Sequence, residues 1–169
     1  MALTTIGTRQ DQRRPDLTAA ALAGLAGGAA YLSEMAIDLR VSRRNVDDLL
    51  FLGGPLTSHK ARAKRFGLAI HCLNSLALGL VYGHVVRPRV AGPGWRTGML
   101  FASLENVVIY PMTIADSRHP WVRSGQLDRY WSRPAFALSV FRHLAYGAAL
   151  GATYDRLRQE TRSLPSPQS

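Results

Sequence analysis

Long runs with almost no charge alternate along this chain with short connectors that are dense in it. Residues 17–37, 66–86, 97–115 and 134–154 cover 82 of the 169 positions, yet hold only three of the 32 charged side chains: Glu34, Glu105 and Arg142. Each run is about 20 residues long, the length an α-helix needs to cross a ~30 Å hydrocarbon layer. Helix signals frame the runs. Pro15 and Asp16 precede the first, with Asp16 as its N-cap, and that helix is expected to reach about Arg40. Pro88, Gly92, Pro93 and Gly94 make a short turn, so the second and third helices should be antiparallel neighbours. Pro111 is placed to kink the last turn of the third helix, and Pro134 opens the fourth. Between the first two runs, NVDDLLFLGG (45–54) offers Asn45 as a cap, acids in a first turn and a Gly-Gly stop, and Thr57-Ser58 can cap the next helix.

The pattern predicts an all-α fold: a transmembrane four-helix up-down bundle with a short interfacial helix between helices 1 and 2. Spans are expected at about 17–40, 66–86, 97–115 and 134–154 within a domain of residues 16–158. A polar arm (1–15) precedes it and a disordered tail (159–169) follows. The arm has no apolar core of a signal peptide, so the first span is expected to be kept as an anchor.

Composition changes the picture only once it is divided this way. A mean hydropathy of −0.04 with 47% hydrophobic residues describes an ordinary soluble domain, but here it averages two opposite populations. The net charge of +10 sits in the connectors, where anionic lipid headgroups attract each basic residue by about 1 kcal/mol. The expected partner is therefore a lipid bilayer with anionic headgroups rather than nucleic acid. Trp95, Trp121 and Trp131 all fall just outside the spans, as an aromatic belt requires. Basic residues divide almost evenly between the two sets of connectors and set no orientation. The single Cys72 allows no internal disulfide.

Small residues recur every fourth position in each run: Ala20, Gly24, Gly28; Gly67, Ser75, Gly79, Gly83; Gly98, Ala102; and Ser139, Gly147, Gly151. In lipid, close backbone approach through such stripes replaces the hydrophobic effect as the reason for helices to pack.

Ionisable groups inside a membrane cost about 2.5–3.5 kcal/mol each and therefore turn inward toward partners. Glu34, His71, Glu105, Arg142 and His143 are the candidates, at least one from each helix. At about 1.5 Å per residue, Glu34 and His71 form one layer and Glu105 a second with Arg142 or His143. The expected pairs are a Glu105–Arg142 salt bridge and a hydrogen-bonded or titrating Glu34–His71 pair. Asp38, one turn beyond Glu34, could extend a polar track inward, with Asn74, Ser75 and Asn106 adding hydrogen-bonding capacity. A single four-ligand metal site would have to span about 11 Å of depth, and no Glu-x-x-His pair occurs, so no metal is expected. No cofactor is predicted; a haem held by His71 and His143 is the one form considered. In the third connector, Asp116 and His119 could act as an acid/base pair on a lipid headgroup, with Arg118 and Arg123 holding its phosphate. The plainer alternative is a solvated basic loop with aromatic anchors.

The runs AGLAGGAAYLSEMAIDLR, NVDDLLFLGG, LAIHCLNSLALGLVYG, SLENVVIYP, DSRHP and LDRYWSRPAF together resemble a group of small bacterial four-span integral membrane proteins. The resemblance covers most of the chain and carries no catalytic motif. It implies a multi-pass protein of the bacterial cell (inner) membrane. The functional expectation is a small scaffold, accessory or binding protein, alone, with other membrane subunits or as a homo-oligomer. A proton- or ion-coupled carrier and a membrane enzyme on a lipid-phase substrate are the alternatives.

Overall fold

The computed structural model describes residues 16–163, which are helical with no strand among them. Within them six α-helices follow in order: α1 (Leu17–Val41), α2 (Asp48–Gly53), α3 (Lys60–Val81), α4 (Gly94–Ile109), α5 (Pro120–Arg123) and α6 (Arg133–Ser163). A π-helical turn, Tyr82–Val86, prolongs α3, and a 3₁₀ stretch, Tyr110–Arg118, prolongs α4 from the point where Pro111 removes a backbone donor. Asp16 caps α1 as expected, accepting from the Ala19 amide at 2.9 Å. Asp47, not Asn45, caps α2, and His59 rather than Thr57 or Ser58 holds the N-cap position of α3. The last helix runs to Ser163, past the expected boundary at 158, with Arg156 and Glu160 paired across its final turns. The polar arm 1–15 and the remainder of the tail lie outside the described residues.

Three segments are long and apolar enough to cross a membrane: Leu17–Val41, Lys60–Val86 and Gly94–Arg118. α6 is longer, at 31 residues, but more polar. It packs along both α1 and α4, while α1 also packs along α3. Its polar residues include the buried Arg142 and His143 and the charged final turns, 155–163. The outward faces of the other three carry large apolar side chains such as Leu22, Leu73, Leu100, Leu104 and Val108, and the buried faces carry small ones. This inversion is what a lipid solvent selects.

The stripes of small residues form the seams. A Cβ on Gly24 would strike the Ser75 carbonyl, and one on Gly28 the Ser75 side chain, so α1 and α3 meet backbone to backbone. Gly98 and Gly147 occupy the same relation between α4 and α6, as do Gly94 and Gly151 one turn away. The short α2 does not lie free on an interface. Gly53 packs on Ala63 and Gly67 on Leu49, which buries Leu50 against α3.

Both ends are tied. At one, Arg87 donates twice to Asp155 at 2.7 and 3.0 Å, and Asp155 also accepts from the Gly94 amide at the start of α4. At the other, the first and third connectors join. Asp128 donates its amide to the Asn45 carbonyl, His119 Nε2 donates to the Phe51 carbonyl at 2.9 Å, and Trp121 Nε1 reaches the Thr57 carbonyl. Trp121 is thus a core residue of this joint, packed with Leu50, Ala63 and Leu127, rather than a belt residue; Trp95 and Trp131 remain exposed.

Candidate functional site

A cavity of about 550 Å³ lies in the half of the molecule nearest the joined connectors. It exists because α3 and α4 come together mainly at the π-helical turn and diverge from there. Asn74, Ile109 and Met112, all exposed, mark a side opening between these two helices. Val46, Phe51, Leu52 and Tyr130 close the connector end. Most of the wall is apolar or aromatic, with a few polar groups converging from four helices.

The strongest of these is Arg142, 1% exposed. Its Nε and Nη2 donate to the two Asp38 oxygens at 2.6 and 2.7 Å, Nη1 donates to Asp48 at 2.6 Å, and Nη2 also reaches the Val46 carbonyl. Tyr31 donates its hydroxyl to the same Asp48 oxygen at 2.6 Å. The expected Glu105–Arg142 bridge is absent from this arrangement. A guanidinium stands several ångströms from its own backbone, and Arg142 extends toward the connectors, where two acids meet it.

Glu105 instead pairs with His143, whose Nε2 lies 3.0 Å from Oε2. The other imidazole nitrogen, Nδ1, is 2.7 Å from the Ser139 carbonyl, which can only accept. Nδ1 therefore carries a proton. Ser139 also donates its hydroxyl to buried Asn106 at 2.7 Å.

His71 does not meet Glu34. Its Nε2 donates to the Gly28 carbonyl at 3.1 Å, because Gly28 lies on the α1 face that packs on α3. Glu34, six residues further, is turned about 240° from Gly28. Its Oε2 is buried without a hydrogen-bond partner. Asp38, expected to continue a track from Glu34, is fixed by Arg142. The Tyr31 ring stands between the two histidines, 5.2 Å from each imidazole, and the Nε2 of each is engaged. This geometry does not fit a haem held between them. Among the described residues no cluster of three or more His, Cys, Asp or Glu side chains could hold a metal ion.

Two of the connector residues, Asp116 and His119, are engaged in contacts within the joint. Asp116 is buried and accepts from Arg129 and from the Trp131 amide at 2.9 Å. His119 stacks on Phe51 at 4.7 Å and accepts from the Trp121 amide to cap α5, so both of its ring nitrogens are engaged. Arg118 and Arg123 are exposed. Burial holds the His119 imidazole below its ordinary pKa, against the opposing pull of the Phe51 carbonyl and Asp116.

Sequence reasoning missed Tyr31, Asp48 and Tyr146, which line the cavity together with Tyr130 of the third connector. Tyr31 had a usable signal: it precedes Glu34 by three and Asp38 by seven residues, on one helical face. The Tyr146 hydroxyl donates to the Ser75 carbonyl across the α3–α6 space. Tyr130 is 5% exposed, and its hydroxyl has no hydrogen-bond partner. Comparison with known proteins finds no match to this chain among protein-family models, curated proteins or solved structures.

Proposed function

We propose that the protein is a binding protein of the bacterial inner membrane, which α1, α3, α4 and α6 cross as an up-down bundle, and that it takes up an amphipathic molecule from the lipid phase. The meeting of the first and third connectors at one end, and of Arg87, Gly94 and Asp155 at the other, supports the alternating direction of the four helices. The 31-residue length of α6 supports its role as a fourth crossing. The observation that carries the binding reading is the cavity: largely apolar, edged with convergent polar groups, and open on the side that faces lipid. A scaffold with no ligand needs neither the volume nor the side opening.

The test fills the mouth. Asn74→Trp places an indole at the opening, at an exposed position where folding should tolerate it. Native mass spectrometry of the wild type released from its own membranes should show a retained small molecule that the variant lacks. Identical spectra for the two proteins would end the proposal.

The Glu105–His143 pair favours one second reading, a proton-coupled carrier, since it sets a carboxylate against an imidazole at the cavity wall. Proteoliposomes that move no protons with wild-type protein, whatever amphiphile is added, would remove it.

A further inference from the structure

The charges around the cavity do not balance. Arg142 contributes +1 and faces two carboxylates, Asp38 and Asp48. Glu105 is paired with His143 and so adds no surplus positive charge. The Arg142–Asp38–Asp48 group thus holds one carboxylate more than its guanidinium balances, in a region where an uncompensated charge is expensive. The excess is directed into the cavity. Asp48 uses only Oδ2 for Arg142 and Tyr31, and Asp48 is a cavity-lining residue whose side chain is 15% exposed. Asp38, by contrast, spends both oxygens on Arg142.

Two further features act on the same space. The buried Tyr130 hydroxyl has no hydrogen-bond partner and lines the cavity together with Asp48. Aromatic rings from four parts of the chain, Tyr31, Phe51, Tyr110 and Tyr146, line it too. A carboxylate within an aromatic enclosure is the arrangement that recognises organic ammonium groups, by Coulomb attraction and by the negative faces of the rings. An anionic head would meet the excess charge, and a neutral one would leave it uncompensated.

We infer that the amphiphile bound in this cavity carries an organic ammonium head, primary or quaternary, which lodges against Asp48 among the aromatic rings. This rests on the binding reading above and specifies its ligand. The ammonium supplies the missing positive charge, and the apolar tail leaves between α3 and α4 into lipid. The same head chemistry is offered by an aminophospholipid and by a free cationic amphiphile.

The experiment uses full-length protein in nanodiscs of phosphatidylglycerol, which has no ammonium group. Dodecyltrimethylammonium and dodecanol share a chain length and differ in head charge, and Asp48→Asn serves as the partition blank. Binding to wild type in excess of that blank should be at least tenfold tighter for the ammonium, and Tyr130→Phe should weaken it several-fold while leaving the Arg142 network intact. If Asp48→Asn fails to fold, Tyr130→Phe and Asn74→Trp become the comparison. Equal binding of ammonium and alcohol, both blocked by Asn74→Trp, would overturn the headgroup inference and leave the binding reading standing. No saturable binding of either, insensitive to Asn74→Trp, would overturn both. Phosphatidylethanolamine added to the nanodiscs distinguishes the sources: displacement of the probe supports a lipid ammonium, and an undisplaced probe supports a free cationic amphiphile.

Discussion

Arg142→Met tests the central contact of the molecule. In the native protein one guanidinium satisfies Asp38 through two bonds and Asp48 through a third, with both ends of the Asp38 bridge at 5% exposure or less. Methionine keeps much of the length and removes the charge, which strands two acids. Removing one partner of a buried ion pair costs about 3–5 kcal/mol, most of it the penalty on the charge left behind. Neutralising the whole group in a triple variant (Arg142→Met with Asp38→Asn and Asp48→Asn) leaves no stranded charge. It should recover most of that loss, because neutral replacement of a buried ionic cluster often changes stability little. Unfolding titrations in mixed micelles, followed by circular dichroism, give the free energies. Double-mutant cycles then separate the partners. Coupling between positions 142 and 38 should exceed about 1 kcal/mol, and coupling between 142 and 105 should stay within about 0.5 kcal/mol, the range for groups that share no contact. Coupling concentrated at 142 and 105 would refute the arrangement in favour of the bridge read from the sequence. A triple variant as unstable as Arg142→Met alone would refute the charge argument.

Two other outcomes follow from named contacts. Gly98→Val forces a side chain into the Gly147 carbonyl and should cost at least about 1–3 kcal/mol in the same titration, while Leu100→Ala, on the exposed face, should change stability by less than about 0.5 kcal/mol. His119, held below its ordinary value of 6.5 by burial, binds its proton less readily folded than unfolded. Its stabilisation is complete above about 6.5 and fades as pH falls from there through the folded value, so His119→Gln should flatten the loss of thermal stability between about pH 7 and 5; an unchanged pH profile would refute this.

Helix positions and packing seams could be read from the chain because each depends on local spacing. Gly24, Gly28, Gly98 and Gly147 carry their meaning in a four-residue period, and the structure sets them against neighbouring backbones as that period requires. Pairing of Glu105 with His143 was one of the two options that depth allowed. Arg142 was misplaced because depth was reckoned at the backbone, whereas its charge is carried toward the connectors. Asp48 was overlooked because a connector acid is expected to face water, and only the folding of α2 onto α3 turns it inward. Glu34 and His71 share a depth but not a face, and depth alone says nothing of azimuth. The cavity depends on α3 and α4 diverging beyond the π-helical turn, a tertiary fact with no sequence period behind it.

The closed connector joint has a consequence for supply. With His119, Trp121 and Asn45 fastening one loop to the other, a ligand of the proposed kind would exchange through the side opening. Occupancy would then follow the mole fraction of ligand dissolved in the bilayer rather than its concentration in the surrounding water. Each added methylene enriches an amphiphile in the membrane by about 0.8 kcal/mol, so a weak contact at the head can be filled by a ligand that is scarce outside. Thus chain length would govern how often the cavity is full, and the head would govern which molecule stays.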